Sequence, residues 1–331
     1  MFDLRRRDFI TLLGGAAAWP LVARAQQPER MRRIGVLMNL ASDDSEAQAR
    51  ISTFREALAK LGWADGHNIQ FVYRWATTPT LREQGARELV ALQPDLILSS
   101  SSPATASLLQ QTRTIPIVFV NIVDPVGQGF VASLSRPGGN ATGLVNLEAS
   151  MAGKWLELLK EVMPRVTRVA VPFDPTSSSY AELYLNYFKS TAPSFGVEVI
   201  EARVADMAAF ETFAAAQGHE PNTGLVPMPS IFMGGHAVEI AAMLARYRIP
   251  AIFSDRAFAE AGGLLSYGND VADNHRRAAT FADRILKGEK PGDLPVLFPV
   301  KFDLVINLKT AKALGLDIPP TLLARADEVI E

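Results

Sequence analysis

Short apolar runs alternate with stretches of helical periodicity along most of this chain. The run at 33–39 (RIGVLMN) is continuous and aliphatic, which predicts a buried strand. Residues 46–61 then place Phe54, Leu58 and Leu61 at helical spacing and stop at Gly62. A strand at 68–75, a helix at 81–92 ending before Pro94, a strand at 95–99, a helix at 104–112 and a strand at 115–122 follow. This β-α-β-α order means a parallel sheet with helices on both faces. A turn at Pro137-Gly138-Gly139-Asn140 leads to a strand at 141–146 and an amphipathic helix at 149–163 carrying Trp155, Leu158, Leu159 and Val162. A second series begins there. Its strands are expected at 168–173, 197–202, 224–226, 251–253 and 264–267, and its helices near 179–190, 207–217, 237–246 and 257–262. A helix at 271–286 and a strand at 302–307 close the chain, and both are expected to rejoin the first half.

The pattern predicts an α/β protein of two Rossmann-like lobes with parallel sheets, joined by a hinge of more than one crossover. The first lobe is expected over 31–146 plus 268–331 and the second over 147–267. Ligands of such sheets sit at the carboxyl ends of strands, where the strand order switches.

The first 25 residues stand outside this pattern. Arg6-Arg7-Asp8-Phe9-Ile10 is a twin-arginine pair, followed by a short apolar run at 10–22 and the small-x-small site Ala23-Arg24-Ala25. Basic end, apolar middle and small-residue exit predict a cleavable export signal. The run is too short and glycine-rich to span a bilayer. The expected location is the periplasm, in soluble form.

Composition narrows the chemistry. The formal net charge is -2; four arginines against two aspartates within residues 1–25 leave about -4 on the remainder. Such a chain gains no support for a nucleic-acid partner. Cysteine is absent, which removes disulfides, thiolate nucleophiles, Cys-ligated zinc and an N-terminal lipid anchor. There is no G-x-G-x-x-G opening a helix, no P-loop, no H-E-x-x-H, no G-x-S-x-G and no S-x-x-K. His67, His219, His236 and His275 lack metal spacing and read as surface or loop histidines. No cofactor, metal or catalytic residue is expected, although acid–base sites need no linear motif.

What the chain offers instead is polar residues at the ends of apolar strands. Ser101, Ser102 and Thr105 follow the strand at 95–99 and open a helix, where hydroxyls and free N–H groups suit a carboxylate. The same serines also suit plain capping. Asn39 ends the first strand and Asn121 the fourth. Asp124 reads either as an ammonium partner or as the cap of a turn with Pro125. In the second half, Asp174, Ser230 and Asp255 each follow a strand and precede a helix, and Asp255 again reads as amine partner or cap. Tyr267 reads as an apolar wall or as core, as do Tyr180 and Phe232.

Several segments carry a family resemblance. They are RRIGVLMN with FREALAKLGW at 54–63, PDLI at 94–97, IPIVF at 115–119, DPV at 124–126, GQGFVASLSRPGGNATGL at 127–144 and KWLELLK at 154–160. The C-terminal ones are EAGGLLSYG at 260–268, RRAA at 276–279, ILKG at 285–288 and KFDLVINLKTAKALG at 301–315. Together they resemble the extracytoplasmic solute-binding proteins of ABC transporters related to tryptophan- and tyrosine-binding proteins. GLVPMPS at 224–230 and SDRAF at 254–258 depart from that pattern near the second-lobe wall.

The resemblance implies a type I periplasmic binding fold, closure on a small molecule, docking on an inner-membrane ABC permease and no enzymatic activity. A monomer is expected. The ligand so implied is a small carboxylate-bearing compound, an aromatic or branched amino acid. Its carboxylate would rest on Ser101, Ser102 and the helix start at 103–105, with Asp174, Ser230 and Asp255 closing from the second lobe. The alternatives are a sensory ligand-binding module for a membrane receptor and an exported enzyme on the same frame. A DNA-binding regulator is not expected, given the export signal and the lack of a helix-turn-helix.

Overall fold

The computed structural model describes residues 30–331 except Ser177 and Ser179, so the expected export signal lies outside the described residues. The first sheet has five parallel strands in the order β2-β1-β3-β4-β5. They are β1 (Arg32–Met38), β2 (Ile69–Trp75), β3 (Leu96–Ser99), β4 (Ile117–Ile122) and β5 (Ala141–Val145). Between them run α1 (Ser45–Lys60), α2 (Pro79–Ala91) and α3 (Ser102–Gln111). Side chains alternate across the sheet as the period of two requires. Ile34, Val36, Leu98, Val118 and Val120 face one core; Leu37, Ile97, Ile117 and Phe119 face the other.

The chain then crosses to the second lobe through α4 (Met151–Val162), whose buried stripe holds Trp155, Leu158, Leu159 and Val162. The Trp155 ring lies against Tyr184 and Phe188, and its Nε1 donates to the Tyr267 carbonyl at 2.8 Å. Here β6 (Arg168–Phe173), α5 (Ala181–Thr191), β7 (Glu198–Arg203), α6 (Met207–Gly218) and β8 (Thr223–Leu225) build a parallel sheet ordered β7-β6-β8. Two short helices, α7 (Ile231–Gly235) and α8 (Ala237–Arg246), precede β9 (Ile252–Phe253), and α9 (Arg256–Glu260) precedes β10 (Leu265–Asn269). A bridge between Leu225 and Ala251 joins β8 to the segment of β9, extending the sheet.

The chain returns to the first lobe as α10 (Val271–Leu286), which buries Ala278, Phe281, Ala282 and Ile285 against β1, β3 and β4. The extended segment after it pairs with β5 through Leu144 and Leu297. One sequence expectation is corrected here. The strand at 302–307 does not return with α10 to the first lobe. As β11 (Phe302–Asn307) it pairs antiparallel with β10, Leu265 opposite Ile306 and Asn269 opposite Phe302. Its inward Leu304 and Ile306 join the core around Trp155. The chain ends with α11 (Leu308–Leu314), α12 (Pro320–Leu323) and β12 (Glu328–Ile330), the last beside β11. The chain therefore passes between the sheets three times, after β5, after β10 and before β11.

The second sheet is consequently not wholly parallel, because β11 runs against β10. Among the described residues, no helix is long and apolar enough to cross a membrane.

Candidate functional site

The carboxyl ends of the two sheets face one cleft of about 260 Å3. That is close to the lower end of the size range of small-molecule sites, roughly 300–1,000 Å3. The first lobe contributes Asn39 after β1, Ser100–Pro103 after β3 and Asn121 on β4. The first turns of α1 add Asp44, Glu46 and Arg50. The second lobe contributes Tyr180, Pro227–Ile231, Met233 and the Phe253–Asp255 turn. Asn146 and Asn269 stand where two crossovers leave their sheets.

The serine loop is held by its own hydroxyls. Ser100 donates to the Asn39 side-chain carbonyl at 2.8 Å and accepts from the Asn39 N–H. Ser101 Oγ caps α3 by accepting from the Ala104 N–H at 3.2 Å. Ser102 Oγ accepts from Gln128 Nε2 at 3.2 Å and from the Val123 N–H. Across the cleft, Ser230 Oγ caps α7 by accepting from the Met233 N–H at 3.1 Å. A hydroxyl that accepts from the protein keeps its own hydrogen to donate. Ser101, Ser102 and Ser230 line the cleft, and each keeps a hydroxyl hydrogen free to donate.

The N-terminus of α3 gives less than its sequence suggests. Pro103 has no N–H, and those of Ala104 and Thr105 already reach Ser101. Hydroxyls, not a row of amides, are what this end offers a carboxylate.

Acidic groups dominate the charge of the lining: Asp44, Glu46 and Asp255 against Arg50. Asp44 and Asp255 also cap α1 and α9, through 2.8 Å and 3.0 Å bonds to Glu46 N and Ala257 N. Asp255 thus caps α9 through Oδ1 and also lines the cleft. Glu46 pairs with Arg50 one helical turn on. Loss of solvent pushes the Glu46 carboxyl up, Arg50 pulls it down, and Asp255 on the opposite lobe pushes it up. Burial likewise holds the Tyr180 phenol up, so it stays protonated and donates to the Pro229 carbonyl. Phe253 and Phe258 stack at 4.3 Å on the second-lobe side.

Of the residues expected from the sequence, Asn39, Ser101, Ser102, Asn121, Ser230 and Asp255 line this cleft. Four do not. Thr105 is wholly buried under the serine loop, bonded to Ser99 Oγ and the Ser101 carbonyl. Asp124, at φ 48°, caps its own turn by accepting from the Gly127 N–H at 2.8 Å. Asp174 is 4% exposed and accepts from the Thr176 N–H and hydroxyl. Tyr267 stacks on Phe302 and belongs to the second-lobe core. Phe232 packs on the His236 ring outside the cleft lining, while Tyr180 does form a wall.

His275 also departs from its sequence reading. It is buried within α10, and its Nδ1–H donates to the Val271 carbonyl. Burial and the nearby Arg50 charge lower its pKa to about 3, so it is neutral. Among the described residues, no three His, Cys, Asp or Glu side chains are placed to hold a metal.

Sequence reasoning missed Asp44, Glu46, Arg50, Asn146 and Asn269. Arg50 did carry a signal: it falls on the buried stripe of α1 with Ala47, Ile51, Phe54 and Leu58. A charge inside an apolar stripe needs a reason. The asparagines carried none, because their place depends on where the chain crosses between lobes. Four side-chain atoms in this lining are buried without a protein partner among the described residues: Arg50 Nε, Asn121 Oδ1, Asn146 Oδ1 and Asn269 Nδ2.

Comparison with known proteins places this architecture. A family described as ABC transporter substrate binding protein matches residues 33–330. A tyrosine-binding protein of Clostridioides difficile is 26% identical over 264 residues, covering 80% of this chain and 75% of that protein. A conserved domain protein of Vibrio cholerae superposes with a TM-score of 0.83 at 28% identity, covering 91% of this chain and 100% of the other. An ABC domain from Streptococcus pneumonia, solved in complex with L-Trp, superposes with a TM-score of 0.82 at 25% identity, covering 90% and 99%.

Proposed function

This chain belongs to the family of ABC transporter substrate-binding proteins, with the type I periplasmic binding fold, and from that premise we propose that it is the exported receptor of an ABC importer for an aromatic amino acid. The observation that carries the ligand class is the pairing of opposite chemistries in one cleft. Donor hydroxyls of Ser101, Ser102 and Ser230 suit a carboxylate. The excess of carboxylates on Asp44, Glu46 and Asp255 suits an ammonium. A zwitterion satisfies both. Tyr180, Pro229 and Phe258 supply apolar surface for a ring. The L-Trp complex of the pneumococcal relative and the tyrosine-binding relative support the aromatic class.

The ligand works by touching both lobes. Ser101 and Ser102 are on the first and Ser230 and Asp255 on the second, so a ligand bound to all four favours the closed arrangement by its contacts there. The three crossovers carry the movement, and an inner-membrane permease reads the closed surface. The protein does no chemistry on its cargo.

A thermal-shift screen of the purified exported protein tests this reading. At a hundred times Kd a ligand adds about 2.7 kcal/mol to folding stability. L-tryptophan, L-tyrosine or L-phenylalanine raises the midpoint under this reading. A rise only with sugars, nucleosides or acids lacking an amine contradicts it.

A further inference from the structure

The carboxyl ends of β3, β4 and β5 lie side by side, and the polar groups they carry form one continuous edge of the cleft. The registers set Ser99 beside Phe119 and Ile122 beside Val145. Just past β5, the Asn146 N–H donates to the Ile122 carbonyl at 2.7 Å. Just past β4, the Val123 N–H donates to Ser102 Oγ. Asn121 and Asn146 therefore border the serine loop that the reading above gives to the ligand's carboxylate.

Both asparagines line the cleft, and in both the side-chain carbonyl oxygen is buried without a donor among the described residues. A buried acceptor in that state has lost its water and gained nothing in return. The backbone at Asn121 is also irregular. Its φ of 58° lies in the left-handed region, where asparagine is one of the few residues tolerated besides glycine. The pairing of β4 with β5 shifts register between Phe119 and Ile122, around this residue. Irregularities of this kind re-aim a side chain, and they gather next to functional sites.

Two carbonyl acceptors call for a group rich in donors. A carboxylate there would set acceptors against acceptors, whereas an ammonium brings three N–H groups. In an α-amino acid the ammonium and the carboxylate hang on one carbon. The acceptors for the first must then border the donors to the second, and Asn121 and Asn146 meet that condition beside Ser101 and Ser102. Asp44 and Glu46 belong to the start of α1 and Asp255 to the opposite lobe. Asp44 and Asp255 each use an oxygen for capping, and Glu46 pairs with Arg50. Their charge still reaches an ammonium across the cleft.

We propose that the side-chain carbonyls of Asn121 and Asn146 accept directly from the ligand's ammonium, while the carboxylates of the cleft supply the opposing charge. This rests on the amino-acid reading above and assigns the contacts within it.

The test is isothermal titration of the purified protein with L-tryptophan, indole-3-propionate and N,N,N-trimethyl-L-tryptophan, whose cationic nitrogen carries no hydrogen. Wild type is compared with Asn121→Gly, which accepts the positive φ, and with Asn146→Ala. Wild type should bind tryptophan at least about tenfold tighter than either analogue, the scale of a hydrogen bond to a charged group. In each variant the preference for tryptophan over indole-3-propionate should fall at least about threefold, because only the ligand with N–H donors loses a partner. A merely structural change would weaken both ligands alike and leave that ratio where it was. A wild-type ratio retained in either variant overturns the asparagine contacts and leaves the amino-acid reading intact. So does trimethylated tryptophan binding wild type as tightly as tryptophan, a result that depends on no variant. Wild type that fails to bind tryptophan, or binds indole-3-propionate as tightly, overturns the amino-acid reading itself, and the contacts with it.

Discussion

Ser102 shows how one side chain holds the fold and also lines the cleft. Its oxygen accepts from Gln128 and from Val123, the latter at a long 3.4 Å, while its hydrogen remains for the cleft. Ser102→Ala should weaken amino-acid binding about tenfold or more, the scale of a hydrogen bond to a charged group. The thermal midpoint should move little, because the lost internal bonds are long or part-exposed; titration and a melt on the same sample check both. Asp255→Asn separates charge from capping. The amide oxygen still accepts from the Ala257 N–H, so the fold should hold while affinity for the zwitterion drops several-fold at low salt. His275 is the residue with the clearest pH signature. Its pKa is about 3 when folded against 6.5 in an unfolded chain, so between these values the unfolded state takes up a proton that the folded state refuses. Stability is then full above about pH 6.5 and falls as the pH is lowered, by about 2–3 kcal/mol at pH 4.5. Denaturant titrations of wild type and His275→Gln from pH 7 to 4.5 should show a shallower loss in the variant.

Elements were the most legible level in the sequence, and their pairing the least. Periodicity marks α1, α4 and α10 because each buries one stripe, and it marks β1 and β3 as continuous apolar runs. It marks β11 as a strand but does not say which strand lies beside it, since Leu304 and Ile306 would suit either core. The site was half legible for a related reason. Residues that end a strand and open a helix point to the cleft, which finds Ser101, Ser102, Ser230 and Asp255. The same rule gathers Asp124 and Asp174, whose carboxylates turn back onto their own loops. Whether a strand-end polar group faces the ligand or its own backbone is set by the turn geometry, and a sequence does not display that. Gly268 shows how tightly the second-lobe turn is placed. A Cβ there would lie 1.7 Å from the Ser254 carbonyl oxygen. Gly268→Ala should therefore push the Ser254–Asp255 turn away from β10, costing about 3 kcal/mol or more and weakening ligand binding as well. A melt and a titration of that variant would show both losses together.

At the scale of the whole molecule, two sheets facing one cleft and three connecting passages make a hinged receptor. The lobes have separate cores and are joined by these passages; under the proposed function a bound ligand bridges them as well. The proposed export belongs to this scale too: if residues 1–25 are the twin-arginine signal their sequence suggests, replacing Arg6→Lys and Arg7→Lys together should hold the protein in the cytoplasm, as fractionation would show. The central claim is that the cleft is complementary to an amino-acid zwitterion, with hydroxyl donors for the carboxylate and an acidic excess for the ammonium. The measurement that tests it most directly is isothermal titration of the purified protein with L-tryptophan and with indole-3-propionate, the same molecule without its amine. The account predicts saturable one-to-one binding of tryptophan and at least about a tenfold loss on removing the amine, the scale of one charge-assisted hydrogen bond. Equal or tighter binding of the deaminated acid would contradict it.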